Sequence, residues 1–162
     1  MASKRGKLTL RNLQSDRRID MRLLRRIARL VADDRFGKNG YELTICLLSA
    51  SEMARLNAEF LAHDGPTDVI TFDYWPSLDG LVHGEVLLCV AEALRQARQF
   101  GTTWPQELAR YLIHGLLHLD GHDDQDAAKR RRMKREENRV LREISRQFPL
   151  RDLAQADARA SH

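Results

Sequence analysis

The eleven residues HGLLHLDGHDD, His114 to Asp124, constrain this chain more than any other stretch of it. At 3.6 residues per helical turn, positions four apart share a face, so His114 and His118 project side by side one turn apart. Two imidazoles at that separation reach a single metal ion at ligand distances of about 2 Å. Gly121 follows three residues later, and glycine accepts the left-handed backbone that ends a helix and turns the chain back. Asp124, three residues further on, then swings round towards the same point. His122 is a rival third ligand, but it stands only one residue past the bend, which favours Asp124. Asp120 and Asp123 are candidates to hold the imidazole N–H groups in place. Three histidines and three aspartates within eleven residues, around a glycine bend, argue against an ordinary polar helix face.

The pattern H-x3-H-x2-G-x2-D has the spacing of the metzincin zinc motif, with an aspartate where a third histidine usually stands. Three protein ligands leave a fourth position to water, which marks a catalytic zinc site, and zinc lowers the pKa of that water to roughly 7. That water is the only reactive group the sequence identifies. In HExxH peptidases the residue after the first histidine is a glutamate serving as general base; here it is Gly115. Phosphodiester hydrolysis depends less on such a base, because metal charge carries much of the chemistry.

Around this motif, apolar spacing alternates between the periods of strands and helices. Residues 7–12 read as a short first strand. From Ile19 to Asp34 a helix buries Leu23, Leu24, Ile27, Leu30 and Val31, with Asp16 or Ser15 as its cap and Gly37 and Gly40 at its end. Residues 42–48 form a mostly buried strand, and Ser49 or Ser51 opens a helix through Phe60. The segment HDGPTD at 63–68 is a turn, since Gly65 and Pro66 do not continue a helix. Strands at 69–74 and Gly84–Val90, joined by a polar loop, read as antiparallel neighbours. Helices follow at 91–100, from near Thr103 with Pro105 in the first turn to about Leu119, and at 125–147. The last helix buries Met133, Val140, Leu141, Ile144 and Phe148. The expected fold class is α+β: about four strands in a mixed sheet packed with about five helices, one of them the metzincin-like zinc helix. Residues 1–150 make a single domain, and 151–162 form a frayed tail.

Charge divides the chain in three. Residues 1–36 carry 11 Lys/Arg against 4 Asp/Glu, residues 125–151 carry 10 against 4, and residues 37–124 carry 5 against 13. Basic flanks suit a polyanion such as RNA, because neutralising phosphates releases counterions. No apolar run approaches the roughly 18 residues of a membrane span, and no signal core follows the N-terminus, so the expected location is cytoplasmic. Cys46 and Cys89 each lie inside an apolar run and read as buried core residues. Nothing points to a small-molecule organic cofactor.

The residues of the motif resemble the YbeY family of single-strand-specific endoribonucleases. That family's signature, H-G-x-L-H-L-x-G-Y/H-D-H, is met by His114, Gly115, Leu117, His118, Leu119, Gly121, His122 and Asp123, with Asp124 in place of the last histidine. Upstream, residues 56–72 are similar to N-x-x-Y/F-R-x-x-D-x-P-T-D/N-V-L-S-F through Asn57, Phe60, Asp64, Pro66, Thr67, Asp68, Val69 and Phe72. Gly84-Glu85-Val86 is similar to the family's G-D-I strand. The resemblance, running over about 42–145, implies one Zn2+ at His114, His118 and Asp124, maturation of ribosomal RNA at the 3′ end of the small-subunit rRNA, ribosome quality control, and rRNA with the small ribosomal subunit as partners. It also implies an α+β sandwich whose sheet floors a groove leading to the metal. The family's arginine after Y/F, which holds substrate phosphate, is Leu61 here. His63, Thr67, Arg130 and Arg131 are the candidates for substrate contact.

Three functions follow from these residues: a metal-dependent endoribonuclease of ribosomal RNA precursors, a non-catalytic RNA-binding ribosome-assembly factor, and a zinc metallopeptidase. The first is the leading reading; Leu61 is the feature that favours the second, and Gly115 weighs against the third.

Overall fold

Each strand the sequence expects forms, and side chains alternating across them give the sheet two unlike faces. The fold is a computed structural model that describes residues 6–61, 67–74 and 80–155. In chain order the elements are β1 (Gly6–Leu13), α1 (Met21–Phe36), β2 (Tyr41–Leu48), α2 (Ala50–Leu61), β3 (Val69–Tyr74), β4 (Val82–Cys89), α3 (Val90–Phe100), α4 (Trp104–Leu119) and α5 (Ala127–Gln147). A short 3-10 turn, Leu150–Leu153, follows α5. The sheet order is β1-β2-β4-β3, with β1, β2 and β4 parallel and β3 antiparallel to β4. The expected mixed four-stranded sheet with five helices is therefore the observed one.

The main core lies between one sheet face and α1, α4 and α5, where Leu24, Ile27, Leu43, Ile45, Val86, Leu88, Leu112, Ile113 and Leu116 are all closed to solvent. The opposite face carries a smaller cluster of Cys46, Leu48, Met53, Ile70, Leu87 and Cys89. Both cysteines are buried and unbridged. Among the described residues, no helix is long and apolar enough to cross a membrane.

The metal-motif helix α4 begins as the sequence expects: the Thr103 side chain accepts from Gln106 N–H, and Pro105 occupies the first turn. It lies so close to the sheet that a Cβ on Gly115 would sit 2.6 Å from Val86 Cγ1 and 3.2 Å from Thr71 Cγ2. The position that carries the glutamate base in HExxH peptidases thus faces the sheet with no room for any side chain.

Three boundaries differ from expectation. The α1 cap is Asp20, whose carboxylate accepts from Leu23 N–H at 3.0 Å. Asp16 does not serve because Gln14 Oε1 captures the Asp16 and Arg17 amides in a turn of its own. Gly37 keeps ordinary helical angles, and only Gly40 takes the left-handed conformation, at φ 87°. The tail does not fray at 151: Leu153 is fully buried and its carbonyl accepts from Asp20 N–H at 3.0 Å, while Ala154 pairs with Ile19. Residues 156–162 lie outside the described part.

Candidate metal centre

At the C-terminal end of α4, the bend after His118 is a Schellman turn. Gly121, at φ 92°, donates to His118 O, and His122 N–H reaches back to Leu117 O at 3.0 Å. This turn sends 122–124 back alongside the helix. Arg130 Nη1, from α5, donates to Asp124 O at 3.2 Å and ties the returning segment down.

The two imidazoles meet edge to face, with Nε2 of His114 3.1 Å from Nε2 of His118. Their Nδ1 atoms are both engaged elsewhere. His114 Nδ1 lies 2.9 Å from Glu137 Oε2, and His118 Nδ1 lies 3.0 Å from His122 O. A carboxylate and a carbonyl only accept hydrogen bonds, which assigns the hydrogen of each neutral ring to Nδ1. Two Nε2 lone pairs then point at each other across 3.1 Å, a repulsive arrangement that a cation relieves. A carboxylate oxygen of Asp124 completes a set of three ligand atoms, all within 4.8 Å of one another. Nitrogen, nitrogen and oxygen donors at this spacing fit zinc.

Electrostatics follow from burial and from these partners. Burial draws the His114 pKa down, but the Glu137 carboxylate on Nδ1 outweighs it and the net shift is upward. For His118 burial dominates, the neighbouring His114 adds to it, and the pKa falls. Burial alone would raise the Glu137 pKa, yet hydrogen bonds from His114 and Arg110 hold it at about 2. Glu137 is therefore a carboxylate anion in the protein interior, 4% exposed.

Glu137 was not legible as a site residue, although its signal was present: it is an acid inside the buried stripe Met133, Val140, Leu141, Ile144 of α5. Asp120 and Asp123, expected to hold the imidazoles, do not. Asp120 Oδ2 accepts from Arg35 at 2.7 Å, and Asp123 Oδ1 accepts from Gln125 N–H at 3.1 Å. The Schellman turn supplies a backbone carbonyl to His118 instead, and α5 supplies Glu137 to His114.

His114 and Asp124 open into a cavity of about 480 Å³ whose wall also includes Arg110, Arg130, Arg131 and Lys134. The structure thus brings Arg130 and Arg131 together with His114 and Asp124, two of the three metal-ligand candidates. Thr67 does not line the cavity; its hydroxyl donates to Asp68 Oδ1, and Asp68 is the residue that reaches the wall. His63 lies outside the described residues. Arg110 escaped the sequence reading, although Arg110, His114 and His118 recur every four residues on a helix otherwise largely buried.

A two-histidine, one-carboxylate cluster at the end of a helix laid on a mixed sheet defines the class: an α+β protein with a candidate metal site of the kind hydrolases use. A sequence model of the family described as Endoribonuclease YbeY matches residues 9–145, and the chain belongs to that family. A protein named Endoribonuclease YbeY from Chlorobium luteolum is 36% identical over 130 residues, covering 80% of this chain and 93% of its own. Its namesake from Chlorobium phaeovibrioides is 39% identical over 119 residues, covering 74% and 78%. The one from Bordetella pertussis is 36% identical over 115 residues, covering 71% and 73%. A solution structure of a Thermotoga maritima protein shares the fold, with a TM-score of 0.63, 23% identity, and coverage of 93% of this chain and 97% of that one.

Proposed function

We propose that this chain is a zinc-dependent endoribonuclease that cuts single-stranded ribosomal RNA precursors, with the metal held by His114, His118 and Asp124. Membership of a family whose relatives are named endoribonucleases supports the reaction class. The observation that carries the metal is the facing pair of Nε2 atoms at 3.1 Å, each turned inward by an acceptor on its Nδ1. Zinc bound there supplies Lewis-acid charge to a scissile phosphodiester.

The chain's own residues do the rest. Glu137 and the His122 carbonyl fix the tautomer and orientation of the two imidazoles, so that metal capture costs no rearrangement. Arg130 and Arg131, on the cavity wall, present cations to phosphates entering it, and Thr67 and His63 are further candidates for substrate contact. Asp124, in place of a neutral histidine, adds a negative charge to the ligand set, which would weaken the Lewis acidity of a metal held there. Gly115, packed against Val86, carries no side chain at the position where HExxH peptidases hold their glutamate base, which argues against peptide hydrolysis by that mechanism.

Within this reading the substrate is the 3′ end of small-subunit rRNA, the partner is the small ribosomal subunit, and the protein works in the cytoplasm. Labelled single-stranded fragments of that RNA, incubated with the purified protein, are expected to be cut in zinc and spared in chelator. His114→Ala, purified in parallel, is expected to leave them intact. Cleavage that persists in both chelator and His114→Ala rejects the reading. Leu61 at the family's arginine position favours a second one, a non-catalytic RNA-binding assembly factor, which binding without cleavage would reveal.

A further inference from the structure

The geometry points to Arg110 as the residue that grips the substrate phosphate in this chain, in place of the arginine that Leu61 lacks. The inference rests on the ribonuclease reading and adds to it a phosphate site on α4. Arg110 lies one turn before His114 on the same face of α4, and both line the cavity that Asp124 also borders. Its Nη1 is anchored twice, donating to Glu137 Oε1 and to Asn138 Oδ1, each at 2.8 Å. A guanidinium has five N–H donors in a rigid plane. With Nη1 occupied, Nε and Nη2 remain, and among the described residues neither has a hydrogen-bond partner. That edge presents two parallel N–H groups, the fork that matches two oxygens of one phosphate.

The anchoring also addresses the entropy of an arginine clamp. A free arginine loses rotamer freedom when it seizes a ligand, whereas one tied to Glu137 and Asn138 has lost it on folding. Arg131, also on the cavity wall, is exposed and without a carboxylate partner among the described residues, so it supplies diffuse charge rather than a fixed fork. Because Glu137 joins Arg110 to His114, a phosphate held on the fork lies at a set position relative to the imidazole pair. A lysine at 110 keeps the charge but loses the fork.

The test separates this role from support of the metal site through Glu137. Arg110→Lys and Arg110→Gln are compared with wild type in two measurements. The first is anisotropy of a labelled single-stranded RNA oligonucleotide bound to metal-free protein in chelator. The second is Zn2+ affinity by competition with a chromophoric chelator. The expected result is RNA binding weakened about tenfold in both variants, the loss of one bidentate charged contact, with Zn2+ affinity in Arg110→Lys within about twofold of wild type. Cleavage by Arg110→Lys is expected to show a raised KM that excess zinc does not restore. Wild-type RNA affinity in Arg110→Lys overturns the inference and leaves the ribonuclease reading standing. Weakened RNA binding that tracks a matching loss of zinc affinity overturns it also, since the residue then acts through Glu137. Wild-type protein that neither binds nor cuts the RNA removes both.

Discussion

At the scale of single residues, Glu137 does work that its position in a basic, exposed helix would not suggest. Among the described residues it is the one carboxylate bonded to a metal-ligand candidate, and hydrogen bonds from His114 and Arg110, with the nearby Lys134 ammonium, keep it anionic despite burial. Glu137→Gln keeps the shape and an acceptor oxygen but removes the charge. Zn2+ affinity is expected to fall by about tenfold or more, as for other partners behind metal-bound histidines, and a chelator-competition titration measures it. An unchanged affinity would show that the carboxylate charge is not needed. Tyr41 is a second buried residue with a charge-dependent role, remote from the cavity. It is closed to solvent, its hydroxyl donates to Asp33 Oδ1 at 2.6 Å, and Arg29 donates to it at 2.9 Å. Burial, then Asp33, raises its pKa from 10.0 to about 12. The folded state therefore holds the phenol proton more tightly than the unfolded chain. That contribution is complete below pH 10 and is lost as pH rises from 10 to 12, about 2–3 kcal/mol over the window. Urea unfolding at pH 9 and pH 12 should show a steeper alkaline loss in wild type than in Tyr41→Phe.

At the scale of elements, the seating of α4 on the sheet decides where the metal motif points. Gly115→Ala brings a Cβ against Val86 and Thr71, and overpacking of this kind costs about 1–3 kcal/mol. Alanine's better helix propensity returns up to about 1 kcal/mol, so a net loss of roughly 1–2 kcal/mol is expected in thermal or urea unfolding. A melting temperature at or above the wild-type value would mean the contact is looser than it stands. Most elements were legible because their signals are local. The Thr103–Pro105 start of α4, the i, i+4 histidines and the buried stripe of α5 each depend on neighbours within a turn or two. What was not legible depends on distant partners. Asp20 rather than Asp16 caps α1 because Gln14 occupies Asp16 and Leu153, 133 residues away, receives the Asp20 amide. Glu137 and Arg110 became site residues only when α5 was laid beside α4. The β1-β2-β4-β3 order likewise rests on pairings between remote strands.

At the scale of the whole molecule, the two basic flanks of the sequence turn out to be unequal. Those of α1 are largely committed to structure: Arg25 donates to Leu8 O, Arg29 to Gly6 O, and Arg26 stacks over Phe148. Arg35 is almost buried, bound to Asp120 and Glu136, which ties the end of α1 to the metal-motif bend and to α5. On α5, by contrast, Arg131, Arg135, Arg142 and Arg146 are exposed and have no carboxylate partner among the described residues. A cation already engaged by protein acceptors releases few counterions from RNA, whereas a solvated one releases its full share. The logarithm of RNA affinity should therefore fall less steeply with the logarithm of salt concentration when α5 is neutralised. For Arg131→Gln with Arg135→Gln the slope is expected to shrink by about 0.7 per arginine, the value for single strands. For Arg25→Gln the slope should stay within error of wild type while the protein unfolds at lower urea, because its Leu8 carbonyl contact is lost. Equal slope changes at Arg25 and at the α5 pair would mean that RNA wraps both flanks, and that the structural bonds of α1 do not spare its charges.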